Sequence, residues 1–168
     1  MKISVKAGAF LAAFMVAILS GGIAGSAQAV TNQLAGGEVV LVKEGWGLLQ
    51  PKVPAAIERF YKRYFQLDPA AKALFDEKTM RVQFDALSNV LSDVAAGADD
   101  LNQFENRMKR LGGLHQNLGA EPYQFAVFGI AFVDTLRLEL KSEFKPRART
   151  AWNKIFWELS KMIAAGYK

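Results

Sequence analysis

The sequence predicts an all-α protein of about seven helices. Three observations carry this prediction. Apolar residues recur at helical spacing along most of the chain. No segment shows sustained period-two alternation between turn residues, and prolines fall where helices would start. No internal repeat or low-complexity run interrupts the pattern.

The first thirty residues stand apart from the helical pattern. Lys2 and Lys6 precede an apolar run over residues 7–19, and small residues then lead to Ala27-Gln28-Ala29. This order of basic, apolar and small-x-small is that of a secretory signal peptide. Residues 1–29 are therefore expected to be a leader cleaved after Ala29, leaving residues 30–168 as the mature domain. The competing reading is an uncleaved membrane anchor, because residues 7–30 carry no charge. The Ala-x-Ala end and Gly21, Gly22 and Gly25 favour cleavage. With no twin arginine, the chain is expected to cross the membrane unfolded and acquire any cofactor afterwards, in the periplasm or outside the cell.

Residues 31–37 read as a polar lead-in. A first helix is expected over residues 38–50, with Val39, Leu41, Val42, Trp46, Leu48 and Leu49 as its apolar positions; Pro51 ends it and Pro54 opens the next. In that second helix Val53, Ile57, Phe60, Tyr61, Tyr64 and Phe65 form one stripe. Asp68-Pro69 caps a short helical turn running through Leu74 to Phe75, and residues 76–79 read as a charged loop. A helix over residues 80–96 buries Leu87, Val90, Leu91 and Val94. Gln83 lies four residues before Leu87, so its amide falls on that apolar face, where a polar group needs a partner or a purpose.

Gly97 breaks the pattern, and Asp99 or Asp100 caps a helix carrying Leu101, Phe104, Met108 and Leu111. The Gly112-Gly113 pair is expected to weaken or kink that helix just before His115. Pro122 opens a long helix with Phe125, Phe128, Gly129, Phe132, Val133, Leu136 and Leu140. Pro146 opens the last, with Trp152, Ile155, Phe156, Leu159, Met162 and Ile163.

Composition narrows the chemistry. With 168 residues, 51% of them hydrophobic, the chain suits one domain with a substantial core. The absence of Cys excludes disulfides, thiolate-bound metals and a cysteine nucleophile. The formal charge of +5 drops to +3 without Lys2 and Lys6, and no basic stripe carries interleaved aromatics, so nucleic acid is not an expected partner.

The chain has a single histidine, His115, within Leu111-Gly112-Gly113-Leu114-His115-Gln116-Asn117-Leu118-Gly119. One His and no Cys exclude a multi-His zinc site, a Cys–His dyad and the paired Glu-x-x-His of four-helix diiron proteins. No Gly-x-Ser-x-Gly elbow, P-loop or dinucleotide fingerprint is present. Two readings remain: an ordinary buried imidazole, or axial ligation of a haem, where the porphyrin supplies the other four nitrogens.

Several further pieces fall in a distinctive order. They are Phe60-Tyr61-Lys62-Arg63-Tyr64-Phe65, Asp68-Pro69, Leu74-Phe75, Gln83 with Leu87, His115 with Pro122, Gly129, and Ala151-Trp152. In order and spacing, over residues 38–167, the chain resembles globins, closest to single-domain bacterial haemoglobins and the haem domain of flavohaemoglobins. The resemblance implies a globin fold, a three-on-three helical sandwich enclosing haem b. It makes His115 the proximal iron ligand, its other N–H held by a nearby acceptor such as the Leu111 carbonyl. Phe75 becomes a haem-packing side chain and Leu87 part of the cofactor-binding set. Tyr61 and Gln83 become distal donors, each contributing about 1–2 kcal/mol to a bound gas and together slowing its release about 10- to 100-fold. The alternatives for these two are a core tyrosine bonded to a carbonyl and a glutamine turned outward.

The implied function is reversible binding of dioxygen, with nitric oxide and carbon monoxide as further ligands and no catalytic residue. The alternative is a haem enzyme detoxifying nitric oxide or peroxide, supplied by a separate envelope electron donor; a signalling globin is a third reading. Phe125 and Tyr167 stand where flavohaemoglobins carry a Tyr and a Glu behind the proximal His. The loop between Phe75 and Gln83 is shorter than theirs, and no reductase domain is expected after residue 168. These departures favour the binder.

Overall fold

The computed structural model describes residues 34–168. The expected leader over residues 1–29, with its cleavage and anchor readings, lies outside the described residues. Among the described residues there are seven α-helices and no strand: α1 Gly36–Leu49, α2 Val53–Leu67, α3 Pro69–Lys72, α4 Met80–Ala96, α5 Glu105–Asn117, α6 Pro122–Leu140 and α7 Pro146–Ala164. The expected all-α class is borne out.

The prolines act where their fixed φ and missing N–H cost least. Pro54, Pro69, Pro122 and Pro146 all lie in the first turn of their helices. Pro51 does not open a gap, because a one-turn 3₁₀ helix, Gln50–Lys52, carries α1 into α2. Asp68 caps α3 as expected, its Oδ1 accepting from the Ala70 N–H at 3.0 Å and the Ala71 N–H at 3.2 Å. That helix stops at Lys72, earlier than expected, and Phe75 is held beyond it by a turn bond to the Lys72 carbonyl at 3.1 Å. The charged stretch 76–79 is ordered too: Asp76 accepts from the Lys78 N–H and starts a 3₁₀ turn, Glu77–Thr79. Asp100 rather than Asp99 caps the segment after Gly97, and a 3₁₀ helix Leu101–Phe104 precedes α5.

Helices α6 and α7 form the centre. Phe132 meets Trp152 and Phe156, and Phe128 meets Phe156, so the pair runs antiparallel across the short connection at residues 141–145. Helix α2 packs on α6, α5 packs on α7, and α1 lies across both. The fully buried Phe60 ring sits where α2 meets α6, touching Tyr61, Tyr64, Phe128 and Phe132 at 4.5–5.9 Å between centroids. Such edge and offset contacts each contribute about 0.5–1.5 kcal/mol beyond burial itself. Trp152 and Trp46 belong to this core, whereas Trp157 and the first helix's Leu48 face outward.

The expected kink at Gly112-Gly113 does not occur. Helix α5 runs unbroken from Glu105 to Asn117. A Cβ on Gly112 would lie 1.9 Å from the Ile163 carbonyl oxygen, and one on Gly166 would lie 1.9 Å from that of Lys109. The glycines therefore serve close approach: with no side chains between them, the α5 and α7 backbones touch, and packing offsets the weak helix propensity of glycine. The helix ends instead at Asn117, and the chain turns away at Gly119, whose φ of 86° is the left-handed conformation that glycine adopts without strain. There the Ala120 N–H donates to the His115 carbonyl and the Gly119 N–H to that of Gln116, both at 3.0 Å, closing the helix one turn after His115.

Candidate functional site

His115 occupies the last turn of α5 and is 2% exposed. Its Nδ1 lies 2.8 Å from the Leu111 carbonyl oxygen, the acceptor anticipated for it. A carbonyl only accepts, so Nδ1 carries the proton and donates, and in the neutral ring the lone pair is on Nε2. Burial pulls the pKa of the ring down to about 4, against the opposing pull of the Leu111 carbonyl. At neutral pH the side chain is thus an uncharged imidazole of fixed tautomer, the form that bonds a metal.

This burial has a pH consequence for protein with nothing bound to His115. The folded chain takes up its proton near pH 4 and an unfolded one near the ordinary 6.5. Because the unfolded state binds more protons in that window, stability is constant above it and declines as pH falls through it, by about 3 kcal/mol in all. Urea titrations across the window are expected to show this decline, and His115→Gln to flatten it.

Behind the imidazole the surroundings are apolar. Phe125 from α6 meets His115 edge-on at 5.3 Å, and Tyr167 lies beyond it, 6.5 Å from the Phe125 ring. The Tyr167 hydroxyl donates to the Ala120 carbonyl at 3.0 Å, and burial pushes its pKa up to about 12.

Tyr61 enters the same cavity from α2 and Gln83 from α4, both buried. The Tyr61 ring is boxed by Phe60, Phe65, Phe75 and Phe84, with centroids 4.9–5.7 Å away, and it stacks on Phe84. Its buried hydroxyl has no hydrogen-bond partner among the described residues. Burial holds that phenol far above the usual tyrosine range; the nearby Gln83 amide pulls it back in part without closing a hydrogen bond. Neither a carbonyl-bonded Tyr61 nor an outward Gln83 is found.

Tyr64, one turn along the same stripe, differs. Its hydroxyl donates to the Gln124 backbone carbonyl at 3.4 Å, so it is already committed.

One cavity collects these side chains. It holds about 760 Å³ of atom-free space, part of it open to solvent, and is lined by Tyr61, Phe75, Gln83, Leu87 and His115, the whole set expected from the sequence. Most remaining walls are apolar, from Val90, Leu91, Val94, Met108, Leu111, Phe128, Phe156, Leu159 and Ile163. An apolar chamber with a neutral imidazole and an unpartnered phenol among its walls fits a flat, metal-bearing macrocycle such as haem. Among the described residues no cluster of three or more His, Cys, Asp or Glu offers another metal site.

Gln124 and Asp68 escaped the sequence reading as members of this site. The Gln124 amide donates to Asp68 Oδ2 at 2.8 Å and accepts from the Glu121 N–H at 2.8 Å, joining the α2–α3 corner to the start of α6 beside the cavity. The bond from the Glu121 N–H back to the Gln124 side chain, three residues on, is a short-range capping pattern that could have marked Gln124. Its pairing with Asp68 has no local signal. Lys109, on the same helix as His115, pairs with Glu105 one turn before it.

A protein-family model described as Globin matches residues 58–163. The chain is 26% identical over 126 residues to a flavohemoprotein of Vibrio cholerae, covering 73% of this chain but 32% of that relative. It is 28% identical over 115 residues to the hemoglobin subunit beta of Hemitrygon akajei, covering 67% of this chain and 80% of that one. With neuroglobin of Danio rerio the identity is 29% over 126 residues, covering 67% and 79%. The chain thus spans about a third of the length of the flavohemoproteins it matches.

Proposed function

The chain belongs to the globin family, whose members bind haem and oxygen, and from that premise we propose that it is an exported protein that binds dioxygen reversibly on haem b. His115 is the iron ligand, Tyr61 and Gln83 are donors to the gas, and Phe75 and Leu87 pack against the macrocycle. The observation that carries this reading is the pairing of two buried groups on one cavity: an imidazole with Nδ1 committed to Leu111, and a phenol with no partner of its own. Leaving a buried hydroxyl unpaired costs about 1–3 kcal/mol, a cost that a guest able to accept its proton removes.

Haem, when bound, supplies an iron that takes one diatomic gas and draws negative charge onto it. The chain's own residues do the rest. Leu111 fixes the tautomer of His115, so that Nε2 presents its lone pair. The phenylalanine box keeps the Tyr61 ring from swinging away, so its O–H needs no reorganisation to meet a ligand. Gln83 contributes a second donor from α4, and the apolar walls exclude water that would compete with both.

Behind His115, the edge of Phe125 offers no acceptor, and the Tyr167 hydroxyl is committed to Ala120. This arrangement supports a binder over a peroxide-cleaving enzyme. Residues 1–29, read as a leader, would deliver it to the periplasm or outside the cell. A second reading, removal of nitric oxide with electrons from an envelope donor, draws on the similarity to flavohemoproteins.

Visible spectra of the purified protein under argon, oxygen and carbon monoxide test the proposal. A Soret band that shifts reversibly with each gas is expected; absence of any band would end the haem reading. Tyr61→Phe is expected to raise the oxygen off-rate about 5- to 30-fold, the equivalent of one donor's 1–2 kcal/mol. An off-rate that stays the same removes Tyr61 from this role. Rapid turnover of nitric oxide with a supplied reductant would favour the enzyme.

A further inference from the structure

We propose that the corner joining α6 to α7, with the adjoining end of α1, docks the domain on an anionic phospholipid membrane, whether or not it holds haem. Residues 137–149 carry five exposed basic side chains, Arg137, Lys141, Lys145, Arg147 and Arg149, against Glu139 and Glu143. Their net +3 equals the whole net charge of residues 30–168, so the rest of the domain is balanced. Arg59 on α2 pairs with the Glu139 carboxylate, which leaves Glu143 to oppose the cluster. The 3₁₀ turn after α1 reaches the same place, where Lys52 Nζ donates to the Glu139 carbonyl at 3.3 Å. Two leucines stand out of the surface beside these cations. Leu48, one turn before Lys52, is 48% exposed, and Leu138, next to Glu139, is 53% exposed.

Lys141 holds a costly backbone conformation. Among the described residues it alone has a positive φ without being glycine, 49° with ψ at −120°. A lysine kept where glycine would relieve strain fits a surface role better than a structural one. The side chains decide the chemistry of the partner. Cations around aliphatic groups match anionic headgroups over acyl chains. Leucines do not stack on bases, and Phe144, the one aromatic residue of this stretch, is buried, which argues against single-stranded nucleic acid. The chain also enters the domain here: a Cβ on Gly37 in α1 would lie 3.7 Å from Arg147 Nη2. The segment with the apolar run 7–19 therefore joins the domain beside the basic corner.

The test is co-sedimentation of the full-length protein with phosphatidylcholine vesicles made with and without phosphatidylglycerol. Each basic residue near an anionic surface contributes about fivefold to partitioning. Lys141→Gln, Lys145→Gln and Arg149→Gln together are expected to weaken binding to the anionic vesicles about 100-fold, and to leave binding to the neutral ones unchanged. Added salt is expected to release the wild type from the anionic vesicles. Leu138→Ser is expected to weaken that binding several-fold and to keep its salt dependence. Lys62→Gln, an equal charge change on α2 where Lys62 pairs with Glu58, is expected to change nothing. Lys141→Gly separates docking from folding, since it is expected to raise Tm and still weaken anionic binding about fivefold. It decides alone should the triple variant not fold. Wild type that binds both vesicles alike, or a triple variant that binds as the wild type does, overturns the docking and leaves the corner to an acidic protein or to no partner.

Discussion

His115→Ala protein is expected to lose the histidine-ligated spectrum in its reduced form, and free imidazole added to the buffer is expected to restore it in part. The chain has no second histidine and no cysteine to take over. The loss should exceed the 10- to 100-fold in affinity that removing a mere supporting partner costs, since the bond to the metal itself is gone. Imidazole rescue follows from packing: the side chain is buried against Phe125, so its removal leaves a void of matching shape on the cavity wall. The measurement is the reduced and carbon monoxide spectrum with and without imidazole. A variant whose spectra match the wild type would mean that another side chain bonds the iron, and the assignment of His115 would fall.

Gly112→Ala is expected to destabilise the fold by about 2 kcal/mol or more, although alanine is the better helix former. Two effects oppose each other here. Intrinsic propensity favours alanine by about 1 kcal/mol. Against it, the new methyl would stand 1.9 Å from the Ile163 carbonyl oxygen and 2.9 Å from its carbon, both backbone atoms that cannot rotate away. Overpacking of this kind costs about 1–3 kcal/mol and more where the backbone must move, so the clash prevails.

Gly47→Ala supplies the opposite case. It lies within α1, with nothing inside 4 Å of the added carbon, so the same substitution is expected to stabilise by up to about 1 kcal/mol. Chemical denaturation of both variants reads the two signs. Stabilisation by Gly112→Ala would show that α5 and α7 do not meet at their backbones.

The pair Gly112-Gly113 also marks where reading from sequence stops. In the chain alone it is two poor helix formers in a row, and a kink is the local inference. Only the opposite helix, with Ile163 and Gly166 against it, turns weakness into a contact surface. Tyr61 and Tyr64 make the same point. Both sit on one apolar stripe of α2, yet Tyr64 finds the Gln124 carbonyl and Tyr61 finds no acceptor among the described residues. The acceptor comes from α6, sixty positions away in the case of Tyr64.

What the sequence determined by itself is what depends on neighbours within about one helical turn. The apolar stripes and prolines set seven helices, with α4 at Met80–Ala96 as expected. Asp68 caps α3, and the single His with no Cys narrows the metal chemistry to one ligand. Even the bond from His115 to Leu111 was within reach, because it joins residues four apart on one helix. The tertiary structure alone decided which buried polar groups pair across helices: Gln124 with Asp68, Tyr167 with Ala120, Gln116 with Lys168. Those partners lie 47–56 residues apart in the chain, so no local spacing encodes them. Packing brings them together, and the same packing leaves Tyr61 alone with its hydroxyl unmatched on the cavity that His115 also lines.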